Sequence, residues 1–222
     1  MKTFVIGDIH GAYKALLQCF ERSHFDYNND RLIALGDVCD RKPQTKECID
    51  ELLKIKHLDY ILGNHDFWTL KWAEEGFQES IWLTQGGFET IASYKNQPMP
   101  LSHIHFLKNA HWWLEIDGNL FIHGGFDPQI SLSEQDKETF IWDRDLIHSA
   151  IALNAQNPQC QISTYKEIFI GHNNVQFLGI TKPLHVCNLW DMDTGAGWTG
   201  KLTMMDINTK EYWQSDLVTL LY

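Results

Sequence analysis

The chain has 222 residues, enough to bury a substantial core and within the range of one domain. A formal charge of -11 argues against general nucleic-acid binding, and no apolar run approaches the ~20 residues of a membrane helix. With 44% hydrophobic and 21% charged residues the composition is globular, and Met1-Lys2 runs straight into Thr3–Gly7 with no signal-peptide layout, so a cytoplasmic protein is expected.

In chain order, Thr3 to Ile6 is a compact apolar run ending at Gly7, followed by helical spacing of Ala15, Leu16, Cys19 and Phe20 within 13–22. A second run, Arg31 to Leu35, ends at Gly36 before a helical stretch over 46–56. A third, Leu58 to Leu62, ends at Gly63 before a helix over 67–74. This repeated strand, glycine, polar cluster and helix is the βαβαβ pattern of an α/β protein, whose ligands gather at the C-terminal ends of the strands. Residues 78–109 read as helical and connecting. Strands are predicted at 112–116, 120–123, 168–170, 189–192 and 201–207, with Asp117-Gly118-Asn119 as a hairpin turn. No repeat or linker divides the chain, so 1–222 is read as one domain.

Each strand end carries metal-ligand chemistry. The runs close on Gly7-Asp8-Ile9-His10-Gly11, Gly36-Asp37-Val38-Cys39-Asp40-Arg41 and Gly63-Asn64-His65-Asp66. Two later ones close on Ile122-His123-Gly124-Gly125 and Ile170-Gly171-His172-Asn173. Carboxylate, imidazole and amide oxygen suit Zn, Fe or Mn. The five cysteines, Cys19, Cys39, Cys48, Cys160 and Cys187, are odd in number and lack a CxxC pair. Buried free thiols are expected, neither a disulfide scaffold nor a thiolate zinc site.

GDIHG, GDVCDR and GNHD, in that order and followed by His123 and His172, resemble the signature of the calcineurin-like metallophosphoesterases, within them the phosphoprotein phosphatase family. Phe140–Arg144 and Asp193–Thr203 resemble its compact bacterial and phage members. The resemblance implies a four-layer αββα fold, a two-sheet β-sandwich flanked by helices. It implies two divalent ions, Mn, Fe or Zn, with Mn the first choice in vitro. Asp8, His10 and Asp37 would hold the first and Asp37, Asn64, His123 and His172 the second. Arg41 and Arg144 would grip the phosphate, which Asn64 and His65 also meet. His65, oriented by Asp40, would protonate the leaving group while hydroxide bridging the metals attacks phosphorus.

The activity implied is hydrolysis of phosphate monoesters, in phosphoproteins or small molecules, with serine/threonine phosphatase action first. Hydrolysis of a dinucleoside polyphosphate is the alternative, and a non-catalytic scaffold of the same fold ranks below both. The chain departs from the pattern at Lys42, where glycine is usual, at Asp66, where protein phosphatases commonly have glutamate, and at Asn173-Asn174. His103 and His105 form an HxH pair, but on a predicted helix, where residues two apart diverge. Asp193-Thr194-Gly195 is read as a turn below the site, and the loop from Phe126 to Thr139 as lining the substrate groove.

Overall fold

The apolar runs pair into two five-stranded mixed sheets in a computed structural model that describes all of residues 1–222. The strands are β1 (Thr3–Ile6), β2 (Arg31–Ala34), β3 (His57–Tyr60), β4 (Trp113–Ile116), β5 (Asn119–Ile122), β6 (Ile168–Ile170), β7 (Leu184–Val186), β8 (Leu189–Asp191), β9 (Thr203–Asp206) and β10 (Tyr212–Gln214). The first sheet has the order β10-β9-β1-β2-β3, with β1, β2 and β3 parallel. The second has the order β4-β5-β6-β8-β7, with β5, β6 and β8 parallel.

Neighbouring residues of a strand point to opposite faces, and here both faces are covered, which is why the central strands read as unbroken apolar runs. Val5, Ile33, Leu35 and Ile61 of the first sheet meet Phe121, Phe169 and Met192 of the second, forming the inter-sheet core. Within it the Phe121 and Phe169 rings stack 5.0 Å apart. The alternate residues Phe4, Ile6, Leu32 and Ala34 pack outward against α1 (Tyr13–Ser23) and α2 (Thr45–Leu52). Further along come α3 (Asn64–Glu75), α4 (Ser80–Trp82), α5 (Phe88–Ser93), α6 (Leu101–Lys108) and α7 (Thr139–Trp142). The outer face of the second sheet, Leu120, Ile122, Ile168 and Ile170, packs on Ile147 and Ala150 of α8 (Asp145–Gln156). A single-turn α9 (Val218–Leu221) docks at the end. The layers are therefore helix, sheet, sheet, helix, as the resemblance implied.

Some elements differ from the sequence expectation. Strands β7 and β10 are short edge strands of three residues, too brief to show a period. Helix α8 was not among the predicted elements, although Leu146, Ile147 and Ala150 carry helical spacing. Helix α3 starts three residues earlier than its apolar pattern, because Asn64 and His65 are polar yet lie on its first turn. The cysteine expectation is corrected: Cys160 and Cys187 are disulfide-bonded across a sequence separation of 27, while Cys19, Cys39 and Cys48 are free and buried. The bond joins the loop after α8 to the β7–β8 turn, a proximity set by tertiary packing and absent from the Cys spacing.

Candidate metal centre

Parallel strands send their C-terminal ends to one edge, and both sheets do so at the same edge. There the chain turns sharply, and Gly11 (φ 65°) and Gly36 (φ 101°) are not the only residues that take left-handed backbones. His10 (φ 49°), Asp37 (φ 51°), Asp40 (φ 73°), Arg41 (φ 67°) and His172 (φ 66°) all have left-handed backbones, a strained state for residues with a Cβ. Backbone approach is equally tight: a Cβ on Gly63 would collide with the Asp37 carboxylate.

Asp8, His10, Asp37, Asn64, His123 and His172, brought from five strand ends, are all buried in one cluster. His10, Asp37 and His65 form one group whose potential ligand atoms lie within 4.8 Å of one another, and Asp37, His123 and His172 form another, with Asp37 common to both. Asp8 stands slightly apart, 4.0 Å from His10 Nε2, and its carboxylate accepts the His172 amide at 3.0 Å.

The donor set fits cations. His10 Nδ1 donates to the Cys39 carbonyl at 2.8 Å and His123 Nδ1 to the Leu35 carbonyl at 2.7 Å. Those bonds orient both rings with Nε2 toward Asp37, at 3.6 and 3.4 Å, and against its burial the Asp37 carboxylate raises the His123 imidazole above its ordinary range. Positive charge is therefore favoured beside Asp37, as a proton on His123 or as a cation between the imidazoles and the carboxylate. His172 Nε2 is buried with no partner at all, and such orphans call for an explanation. Burial pushes the His10 imidazole down to about 3 and His172 well below its ordinary range, so both are in the neutral form that ligates metals. Burial, with Asp193 and Asp37 close by, pushes the Asp8 carboxyl up. Asp37 is also buried, yet His123 and His65 hold it well below the usual carboxylate range.

Next to the cluster, His65 Nδ1 donates to Asp40 Oδ2 at 2.7 Å. Asp40 is fully buried and locked on every side. Its Oδ1 accepts from Thr90 Oγ1 at 2.6 Å, its Oδ2 also accepts from Trp82 Nε1 at 2.9 Å, and its own amide donates to Thr90 Oγ1 at 2.8 Å. Thr90 and Trp82 were missed by sequence reasoning. They lie in the connecting helices, 50 and 42 residues from Asp40, with no motif to mark them.

Both arginines stand at the rim. The Arg41 guanidinium lies 4.2 Å over the Trp198 ring, with Nη2 at 3.4 Å from His65 Nε2. Arg144 is exposed, and its Nη1 donates to the His172 carbonyl at 3.2 Å and to Asn173 Oδ1 at 3.1 Å. Asn173, one of the departures from the family pattern, therefore orients Arg144. Lys42 is not among the residues with positive φ, so lysine there carries no backbone strain; Asp40 and Arg41 carry it instead.

Asp66 turns away from the cluster. Its Oδ2 accepts from the amides of Asp37 (2.8 Å) and Gly63 (3.0 Å) and from Tyr60 Oη (2.7 Å). Its Oδ1 accepts from the amides of Val38 (3.0 Å) and Cys39 (3.3 Å). It is a brace between the second and third motif loops. Burial and Asp37 push its carboxyl up to about 6, against the pull of these donors. His103 is held by Tyr94 and Asp50 inside its helix contacts, away from the cluster. The segment from Phe126 to Ser133 lines a groove with Trp113 and Gln161–Tyr165, and no residue of the cluster borders that groove. Asp193 accepts the Gly195 amide at 3.0 Å in the expected turn, and it faces Asp8 closely enough to raise it.

Two layers of mixed sheet between helices, with imidazoles and carboxylates converging on a shared aspartate, define a metal-dependent hydrolase scaffold. The calcineurin-like phosphoesterase family model matches residues 1–200, and the chain belongs to that family. It is 25% identical to serine/threonine-protein phosphatase 1 of Salmonella typhimurium over 208 residues, which cover 92% of this chain and 91% of that one. It is 41% identical to a symmetrical bis(5'-nucleosyl)-tetraphosphatase of Dechloromonas aromatica over 137 residues, 60% of this chain and 47% of that one. The chain thus spans about half the length of the second relative. A crystal structure provisionally assigned to a diadenosine tetraphosphatase superposes with a TM-score of 0.70 at 15% identity, covering 96% of this chain and 92% of that one. At that identity the likeness concerns the fold.

Proposed function

We propose that this protein hydrolyses phosphate monoesters at a two-ion centre, acting first on phosphoserine and phosphothreonine side chains. The observation that carries the proposal is the shared, buried Asp37 between two ligand groups, with His172 Nδ1 beside Asn64 Oδ1 at 2.9 Å in one of them. Asp8, His10 and Asp37 would hold one ion and Asp37, Asn64, His123 and His172 the other. Ions held there would supply Lewis acidity toward phosphoryl oxygens and lower the pKa of water enough to furnish a nucleophile near neutral pH. Manganese is the preferred metal for reconstitution, and zinc or iron suits the same donors.

The side chains divide the remaining work. Arg41 and Arg144 neutralise the non-bridging oxygens, a task matched to the guanidinium fork. With Nδ1 committed to Asp40, His65 offers Nε2 toward the leaving-group oxygen and gives its proton there. No serine or cysteine nucleophile is required, so no phosphoenzyme forms. All six ligand candidates, both arginines and the Asp40–His65 pair are present, which disfavours the scaffold reading. A single catalytic domain over 1–222 in the cytoplasm completes the proposal; no helix is long and apolar enough to cross a membrane.

Phosphoprotein action is supported by the Salmonella phosphatase, which aligns over nearly the whole chain. A second reading, hydrolysis of a dinucleoside polyphosphate, is favoured by the 41% identity to the Dechloromonas enzyme and by half-buried aromatics at the site. Trp68 lies 5.3 Å from the His65 ring, and Trp142 lies 4.9 Å from Trp68 and 6.3 Å from His172. The test is parallel hydrolysis of an aryl phosphate, a phosphoserine peptide and diadenosine tetraphosphate after reconstitution with Mn, Fe or Zn. Peptide turnover that vanishes in Asp37→Asn supports the first reading. Activity on the dinucleotide alone replaces it with the second, and full activity in Asp37→Asn refutes the shared-ligand assignment.

A further inference from the structure

Arg41 is a cation without a carboxylate partner. Its Nε is buried and unpartnered, and its other contacts, His65 Nε2 at 3.4 Å and Gln85 Oε1 at 3.5 Å, are long. Its backbone is fixed, since Gly86 packs against the Arg41 amide so closely that a Cβ there would collide with it. What aims the side chain is the Trp198 ring, 4.2 Å from the guanidinium carbon.

Trp198 is itself held in a particular way. It is 45% exposed, with the Phe177 ring edge-on at 5.7 Å. Its amide donates to Gly195 at 3.0 Å, and its carbonyl accepts from Lys42 Nζ at 2.8 Å. Lys42 is the residue after Arg41, standing where the family signature has glycine. Gly197 closes the arrangement, because a Cβ there would fall 2.7 Å from Arg41 Cδ. The lysine thus ties the 195–200 loop to the second motif loop, across the side chain that lies between them.

We infer that Trp198 and Lys42 are positioning residues that aim Arg41 at the phosphate: Trp198 supplies the stacking surface, and Lys42 pins that surface in place through its carbonyl. Lys42 acts through Trp198 and does not touch the phosphate. The inference rests on Arg41 being a phosphate grip, as proposed above. A stacked guanidinium keeps its donors in one plane facing the substrate, while an unstacked one on the same stem samples many rotamers and binds an oxyanion more weakly.

The test is the affinity of the metal-loaded protein for inorganic phosphate, read by calorimetry, alongside KM and kcat for an aryl phosphate. Trp198→Leu is expected to weaken phosphate binding about tenfold, Trp198→Phe to stay within about twofold of the parent, and Lys42→Met to weaken it about threefold. In the double variant Trp198→Leu/Lys42→Met the two losses do not add, because the second residue acts through the first. Unchanged phosphate affinity in Trp198→Leu overturns the inference. Additive losses also overturn it, since they mean that Lys42 meets the phosphate directly. Metal content and thermal midpoint, expected to match the parent, separate misaiming from misfolding. Because binding is read without turnover, a parent protein that hydrolyses nothing would sink the proposed function and leave this inference to be judged on its own data.

Discussion

Replacing Asp66 by asparagine keeps the shape of a fully buried side chain and changes one oxygen into a donor. If the amide nitrogen took the place of Oδ2, it would face the Asp37 and Gly63 amides and Tyr60 Oη. If it took the place of Oδ1, it would face only the Val38 and Cys39 amides, so this orientation wins. Val38 keeps an alternative acceptor in Tyr60 Oη at 2.9 Å, which leaves the Cys39 amide stranded. The Cys39 amide and the new amide NH2 are both stranded, at ~1–3 kcal/mol each. Removal of a buried charge that the site disfavours offsets part of this, so a net destabilisation of about 1–3 kcal/mol is expected. That is a large part of the ~5–15 kcal/mol that holds a domain folded. Because Asp66 braces the loops carrying Asp37 and Asn64, metal affinity falls with it. Urea unfolding of the metal-free protein and calorimetric metal titration measure the two effects. A variant within about 0.5 kcal/mol of the parent, with equal metal affinity, would refute the bracing role. Asp66→Glu separately tests whether this position reports on substrate. Since it does not face the cluster, the ratio of phosphopeptide to dinucleotide hydrolysis is expected not to move.

Thr90→Val removes the donor to Asp40 Oδ1, a bond to a charged group worth ~1.5–3 kcal/mol, and loosens the Asp40–His65 pair. Turnover of alkyl phosphates, which need the acid, is expected to fall more than turnover of nitrophenyl phosphate; equal losses would contradict the role given to His65. Gly197→Ala drives a methyl between His10 and Arg41, an overpacking of ~1–3 kcal/mol, so metal and phosphate affinity should drop together in calorimetry. Cys160→Ser opens a covalent loop spanning 27 positions, worth ~3 kcal/mol, and should lower the thermal midpoint in non-reducing buffer. If the parent melts at the same temperature with and without reductant, the bond is not contributing.

The candidate ligand set was legible because each of its residues sits at a strand end beside a glycine, so local spacing and ligand chemistry coincide in a few residues. The first three strands were legible for a related reason, since parallel strands covered on both faces announce themselves as apolar runs. What packs around the ligands left no such mark. Thr90 and Trp82 reach Asp40 from helices with no motif. Tyr60 looks like any strand aromatic until its hydroxyl meets Asp66 at 2.7 Å. Lys42 and Asp66 were readable only as deviations from a pattern. Their spatial partners, Trp198 and the two loop backbones, show that the first lies across the arginine and the second behind the candidate ligands. Cys160 and Cys187 illustrate the same limit, because pairing depends on where α8 ends relative to the β7–β8 turn.

The left-handed backbones at His10, Asp37, Asp40, Arg41 and His172 set two selection pressures against each other. Strain of ~1–3 kcal/mol at such a residue is relieved by glycine, which is at ease there. On the proposed function, a search for heat-resistant variants would therefore be drawn toward the very positions that a search for activity must keep unchanged. Stability gained at this edge of the sheets would come at the expense of chemistry. Improvement without that conflict has to be sought elsewhere, in the outer helices and in the short edge strands β7 and β10, where neither pressure operates on the other.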